Sequence, residues 1–278
     1  MRRLLFFSLL ILPTLAQAGG PWVRAYKKGF VQVGFSGLFY NSVFSPTGNE
    51  QAVYRNISDI TVQLYAEYGF ARRWEVRALL PYKSVQIGVS SNLTANPVPA
   101  GTLTGVGNIG LGVKHAILDG NTKISVGVDA LANTFKHNDL LGLRTGYEGW
   151  TVMPYVSLGS GGSRTYYFAE AGYGFMTQEY SNFLKLNGEL GYRLHSRFWI
   201  AGTLDFRLPA RNGKFSNTEA YQFTAAYLND QLYLGTGIKA SFDLIADRLG
   251  INGSVIGALA GENVAFSRSY NAGVFIKW

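Results

Sequence analysis

The feature that most constrains this chain is an alternation with a period of two that runs to its final residue. In Ser267 to Trp278, Tyr270, Ala272, Val274, Ile276 and Trp278 fall on one face. Ser269, Asn271, Gly273 and Lys277 fall on the other, with Phe275 as the one large apolar residue among them. This is a β-strand with one apolar and one polar side. An amphipathic strand left at the edge of a sheet invites pairing with other chains. A closed membrane barrel removes that edge by pairing its last strand with its first.

The same unit recurs from Gly29 onward: a run of alternating polarity, then a connection. Strands are expected near 29–40, 57–70, 74–86, 104–118, 122–134, 149–159, 164–176, 182–194, 197–207, 231–243, 249–259 and 267–278. In one of them Leu184, Leu186, Leu190 and Tyr192 oppose Lys185, Asn187, Glu189 and Arg193. Outside the first 18 residues no window shows a convincing helical period. The connections alternate in length. Short ones include Ala71 to Arg73, Asp119 to Asn121 and His195-Ser196; long ones span 41–56, 87–103, 135–148, 177–181, 208–230 and 260–266. Membrane barrels have short periplasmic turns and longer outer loops, so both ends of the barrel segment are expected on the periplasmic side. That parity requires an even count. The expectation is an all-β, transmembrane antiparallel β-barrel of about twelve strands, with fourteen as the alternative. Thr218 to Leu228 also looks strand-like, and is read as an extension within a long outer loop.

Residues 1–18 have the pattern of a secretory signal. Arg2 and Arg3 precede an apolar run from Leu4 to Leu15, and Ala16-Gln17-Ala18 supplies a small-x-small cleavage site before Gly19. Two segments follow: a signal peptide over 1–18 and a barrel over 19–278. There is no cysteine, which excludes an acylated-cysteine lipoprotein and any disulfide. Charged residues make up 15% against a usual figure of about 25%, while Phe, Tyr and Trp reach 14%. Both values suit strands with one face in lipid. The net charge of +8 falls to +6 without Arg2 and Arg3 (23 Lys and Arg against 17 Asp and Glu). Export and the scatter of these charges argue against nucleic acid as a partner. Aromatics near strand ends, among them Tyr40, Tyr68, Phe70, Trp74, Trp150, Tyr192, Phe198, Trp199 and Trp278, suit interfacial girdles.

With the apolar faces outward, the polar faces give a nearly balanced inward set. Glu67, Glu75, Glu189 and Asp205 stand against Arg77, Lys114, Arg193 and Arg207 as the candidate lumen lining. Two readings are open for them. They pair and fill the barrel, as charges away from bulk water must, or they set the polarity and constriction of a narrow path.

Certain stretches also carry a resemblance. Leu79-Leu80-Pro81-Tyr82, then Gly105-Val106-Gly107-Asn108-Ile109-Gly110-Leu111-Gly112-Val113-Lys114, and later Gly261-Glu262-Asn263-Val264, occur in an order similar to the outer-membrane family named for the meta-pathway of phenol degradation. That family usually has Gly-Asp where this chain has Gly107-Asn108. The resemblance implies a bacterial outer-membrane, porin-like transporter of small molecules, hydrophobic or aromatic ones among them. The terminal Trp278 likewise resembles the signal by which such barrels are recognised, which implies the barrel-assembly machinery as a partner for 267–278, alongside outer-membrane lipid.

The pattern is compatible with two other function classes. A plugged structural or adhesive barrel would present loops 41–56, 87–103 and 208–230. A barrel lipid hydrolase would need a histidine held beside a nucleophilic serine. His115, His137 and His195 are the only histidines, and none lies two residues from a serine on a strand. His137-Asn138-Asp139 is a weak metal set, and the Gly-rich stretch lacks the strand–helix context of a dinucleotide site. No enzyme activity, cofactor or metal is expected.

Overall fold

The computed structural model describes residues 19–92, 94 and 98–278. The segment read as a signal peptide, 1–18, lies outside the described residues. Twelve long strands form one antiparallel barrel: β1 (Gly29–Phe44), β2 (Glu50–Ala71), β3 (Trp74–Ile87), β4 (Gly110–Asp119), β5 (Thr122–Leu131), β6 (Thr151–Gly161), β7 (Thr165–Met176), β8 (Phe183–His195), β9 (Phe198–Pro209), β10 (Leu232–Ile245), β11 (Leu249–Glu262) and β12 (Arg268–Lys277). Each pairs with its neighbours in sequence, and β12 returns to β1 from Phe30↔Lys277 to Leu38↔Ser269. Trp278 and Gly29 then exchange backbone hydrogen bonds of 3.1 and 3.2 Å. The last strand has no free edge, as its alternation requires.

The pleat sorts side chains as the sequence predicts. Val33, Phe35, Val62, Leu64, Leu111, Leu190, Ile238, Val255 and Val274 are exposed on the outside. Such an apolar exterior is stable only in lipid, and with the closed barrel it places the chain in a membrane. Tyr68, Phe70, Trp74, Tyr192 and Trp278 are exposed at the turn end and Trp150 at the loop end. Two expected girdle residues are not part of it. Tyr40 points inward and donates to Thr224 O at 2.6 Å, and Trp199 packs inside against Tyr166, 5.4 Å between rings. Phe275, the apolar residue on the polar face of β12, stacks on Phe30 inside the barrel.

Departures from the expected layout concentrate at the loop end. The β1–β2 loop shrinks from 41–56 to 45–49, because the hairpin continues past the barrel rim. A bulge over Val53–Asn56, with Tyr54 at φ 56°, absorbs the extra residues between Ala52 and Ile57. The expected strand near 104–118 is broken into a short piece, Gly101–Val106, and β4. Both pieces pair with β3. Residues 218–228 hold a short helix, α1 (Glu219–Thr224), in place of extended chain. A strand there would need an open ladder, and β9 and β10 already pair with each other from Phe198↔Phe242 to Arg207↔Tyr233. Its backbone groups are therefore met locally.

Candidate functional site

Strand parity turns all eight candidate residues toward the lumen, where they fall into three groups. At the turn end, the stretch ahead of β1 enters the barrel. Arg24 pairs with Glu67 at 2.6 Å and its backbone N–H donates to Glu75 at 2.7 Å. Lys114 pairs with Glu75 at 3.0 Å and donates to Trp22 O at 2.7 Å and Gly20 O at 3.3 Å. Glu75 and Lys114 have no exposure and Glu67 has 1%. These three seat residues 19–24 and do not line open space. Trp22 caps the arrangement edge-on against Tyr166 and Phe168. Gly69 lets the segment pass, since a Cβ there would overlap the carbonyls of Arg24 and Ala25.

Midway up, Arg77 Nη2 donates to both carboxylate oxygens of Asp129 (2.7 and 2.6 Å), and the guanidinium lies over the Tyr155 ring. Gly112, between them on β4, leaves room for that carboxylate, which any Cβ would overlap. On the opposite wall Lys185 pairs with Asp205 and donates to the Tyr233 hydroxyl at 2.5 Å. Lys239 pairs with Glu189 at 2.8 Å. Arg207 stacks on Phe183, 3.8 Å from its ring centre. Arg193 sits lower, donating to Ser196 O at 2.6 Å in the β8–β9 turn.

Two cavities remain between these groups. One of about 300 Å³ is walled by Tyr65, Leu79, Leu131, Met153, Phe183 and Tyr233, with Arg77, Lys185 and Arg207 on its surface. The other, about 400 Å³, is more polar and includes Gly19, Gly20, Glu170, Asn187, Asn252 and Asn271. On β8, β9 and β10 the first lies toward the loops and the second toward the turns.

The loops close over the barrel as a second packed core. Tyr221 and Leu228 from the α1 loop pack with Leu141 and Leu143 of the β5–β6 loop and with Val43, Val53 and Ile87 of the hairpin walls. Arg144 lies 3.6 Å from the Tyr221 ring centre and pairs with Glu148 at 2.9 Å. Asn108, in the break of β4, accepts from Tyr147 N at 2.7 Å and donates to Ala132 O and Tyr147 O. The position that is usually Asp in the family this stretch resembles thus holds a donor for two carbonyls, which a carboxylate could not supply. Tyr147 and Tyr227 face the lumen below, within 5.2 Å of Arg207 and 5.4 Å of Lys83 respectively.

Sequence reasoning missed the partners Asp59 and Lys83, which pair at 2.8 Å, although both lie on the inward parity of β2 and β3. It also missed the entry of residues 19–24, which no alternation announces. The histidines are dispersed. His115 lies against Trp74 on the outer face, and His137 lies near Phe135 in the loops. His195 Nδ1 is 3.3 Å from Ser196 Oγ in an exposed turn.

No family model matches the chain, and no curated protein does. The resemblance to the phenol-degradation family therefore rests on the stretches quoted above alone. Solved structures do match. An outer-membrane channel from Pseudomonas putida F1 aligns over 95% of this chain and 100% of its own, with a TM-score of 0.72 and 14% identity. The NanC porin aligns over 90% and 100%, with a TM-score of 0.54 and 12% identity. The translocator domain of the autotransporter NalP from Neisseria meningitidis aligns over 90% and 88%, with a TM-score of 0.51 and 11% identity. At these identities the likeness is one of fold: a twelve-stranded outer-membrane barrel, a form that serves channels and translocator domains alike.

Proposed function

We propose that this protein is a porin-like conduit for small organic molecules, hydrophobic or aromatic ones among them, with its closures at either end acting as gates. The observation that carries this reading is the cavity of about 300 Å³ inside the barrel, apolar and aromatic over most of its wall. A barrel that only needed filling would put side chains there, as small barrels do. An apolar cavity of roughly 150 Å³ already holds benzene, so this one suits a substituted single ring. The paired charges around it, Arg77–Asp129 and Lys185–Asp205, balance one another and give the wall its polar points. Assembly would proceed through 267–278, whose strand closes the barrel.

A second reading has its own observation: the lumen is closed below by residues 19–24 and above by the loop core. A scaffold presenting its outer loops would look the same. Refolding the chain into vesicles separates them. Entry of small aromatic solutes, faster than into protein-free vesicles, with intermittent conductance in planar bilayers, is expected of a gated conduit. A folded barrel that admits no solute and stays electrically silent would make it a scaffold.

A further inference from the structure

On the lumen faces of β3, β4, β8 and β10, Arg77, Lys83, Lys114, Lys185 and Lys239 each have a carboxylate partner. Arg207 has none among the described residues. Its neighbours are the Phe183 and Tyr147 rings and the Met176 sulfur, 3.6 Å from Nη2. Its Nε is buried without an acceptor. Lys185 sits directly across from it in the β8–β9 ladder. Two cations facing each other on adjacent strands repel, and Asp205 balances only one of them. Both lie on the wall of the apolar cavity, beside Tyr233.

We propose that Arg207 is the anchor of a binding subsite for a small aromatic monocarboxylate. The carboxylate would displace the weak Met176 sulfur contact at the guanidinium, and the ring would rest among Leu131, Met153 and Phe183. The proposal deepens the conduit reading and rests on it for the solute's access. Three features select this class. A guanidinium fork matches a carboxylate in plane and charge. One uncompensated positive charge calls for one negative charge. The remaining wall is apolar and of single-ring size. Phe183, stacked on Arg207, holds the fork in place before any ligand arrives, which lowers the cost of ordering it.

The test is equilibrium dialysis of the refolded chain in detergent micelles against labelled benzoate and its uncharged isostere benzamide. Wild type, Arg207→Met and Arg207→Lys are compared. Wild type is expected to bind benzoate saturably and more tightly than benzamide. Arg207→Met should weaken benzoate by about ten- to a hundredfold, the range for hydrogen bonds to a charged group, and benzamide by much less, because only a hydrogen bond to a neutral carbonyl is lost there. Arg207→Lys should fall between. Equal binding of the two probes, or full benzoate binding by Arg207→Met, overturns the subsite. Should Arg207→Met lose the heat-modifiable mobility of a folded barrel, the benzoate-to-benzamide ratio of wild type decides alone. Vesicle entry keeps the two readings apart. Benzoate binding without entry of either probe supports the subsite and removes the conduit. Entry of both without preferential binding keeps the conduit and removes the subsite.

Discussion

At the scale of single residues, the most exacting positions are buried charges whose removal leaves a partner stranded. Lys114 is one. It holds Glu75 and two carbonyls of the entering segment, and neither charge reaches water. Lys114→Met should cost about 3–5 kcal/mol, the usual penalty for orphaning a buried ion, read as a lower urea midpoint for unfolding from lipid vesicles. Adding Glu75→Gln should restore part of that loss, because a neutral amide tolerates burial better than an unpaired carboxylate. Tyr221 sets a different limit. Burial first, and then its hydrogen bond to Asp139, push its hydroxyl up to about 12 from an ordinary value of 10. The folded loops hold the proton more tightly than unfolded chain, so this contribution is intact below pH 10 and lost as the pH rises toward 12. The loop core should therefore loosen over that window, seen as faster proteolysis of 210–231 in wild type. Tyr221→Phe should show no such step.

At the scale of elements, the strands were legible and the closures were not, for one physical reason. A strand between lipid and lumen is forced into strict alternation, so Leu184 to Arg193 announces both its span and its facing. The segments that close the barrel are irregular and bury residues from both parities. Tyr221, Phe223, Ala225 and Tyr227 imitate a strand by spacing, yet Glu219–Thr224 winds into the six residues of α1 because no neighbour offers a ladder. The inward direction of the eight lumen candidates follows from the same parity. Their pairing does not, since Asp129, Lys185 and Lys239 complete pairs across strands whose stagger the sequence does not print. Residues 19–24 yield the sharpest test of a closure. Trp22 fills the turn end against Tyr166 and Phe168. Truncating a packed, half-buried Trp costs roughly 2–4 kcal/mol, which would raise the undocked fraction of the segment by roughly thirtyfold or more. Trp22→Ala is expected to show more frequent open events in planar bilayers. An unchanged record would mean the segment does not gate.

At the scale of the whole molecule, removal of the expected leader would link export to closure through the charge count beneath the lower cavity. Glu67, Glu75 and Glu170 face that region, against Arg24 and Lys114. Glu170 Oε2 is buried with no partner, and Gly19 lines the same cavity, its nitrogen 3.4 Å from Glu67 Oε1. Cleavage after Ala18, as the leader pattern predicts, would convert that amide nitrogen into an ammonium. Three acids would then face three bases in a site largely shielded from water, where imbalance is most costly. The entering segment would become fully seated only once processed, so a precursor would be leakier than the mature barrel. Two refolded forms test this, one starting with a free Gly19 amine and one with that amine acetylated. The acetylated form should open more often in bilayers and unfold at lower urea, by roughly 1–3 kcal/mol for a lost charge-assisted hydrogen bond. Identical behaviour of the two would show that the closure draws nothing from the chain's new end and rests on Arg24, Lys114 and Trp22 alone.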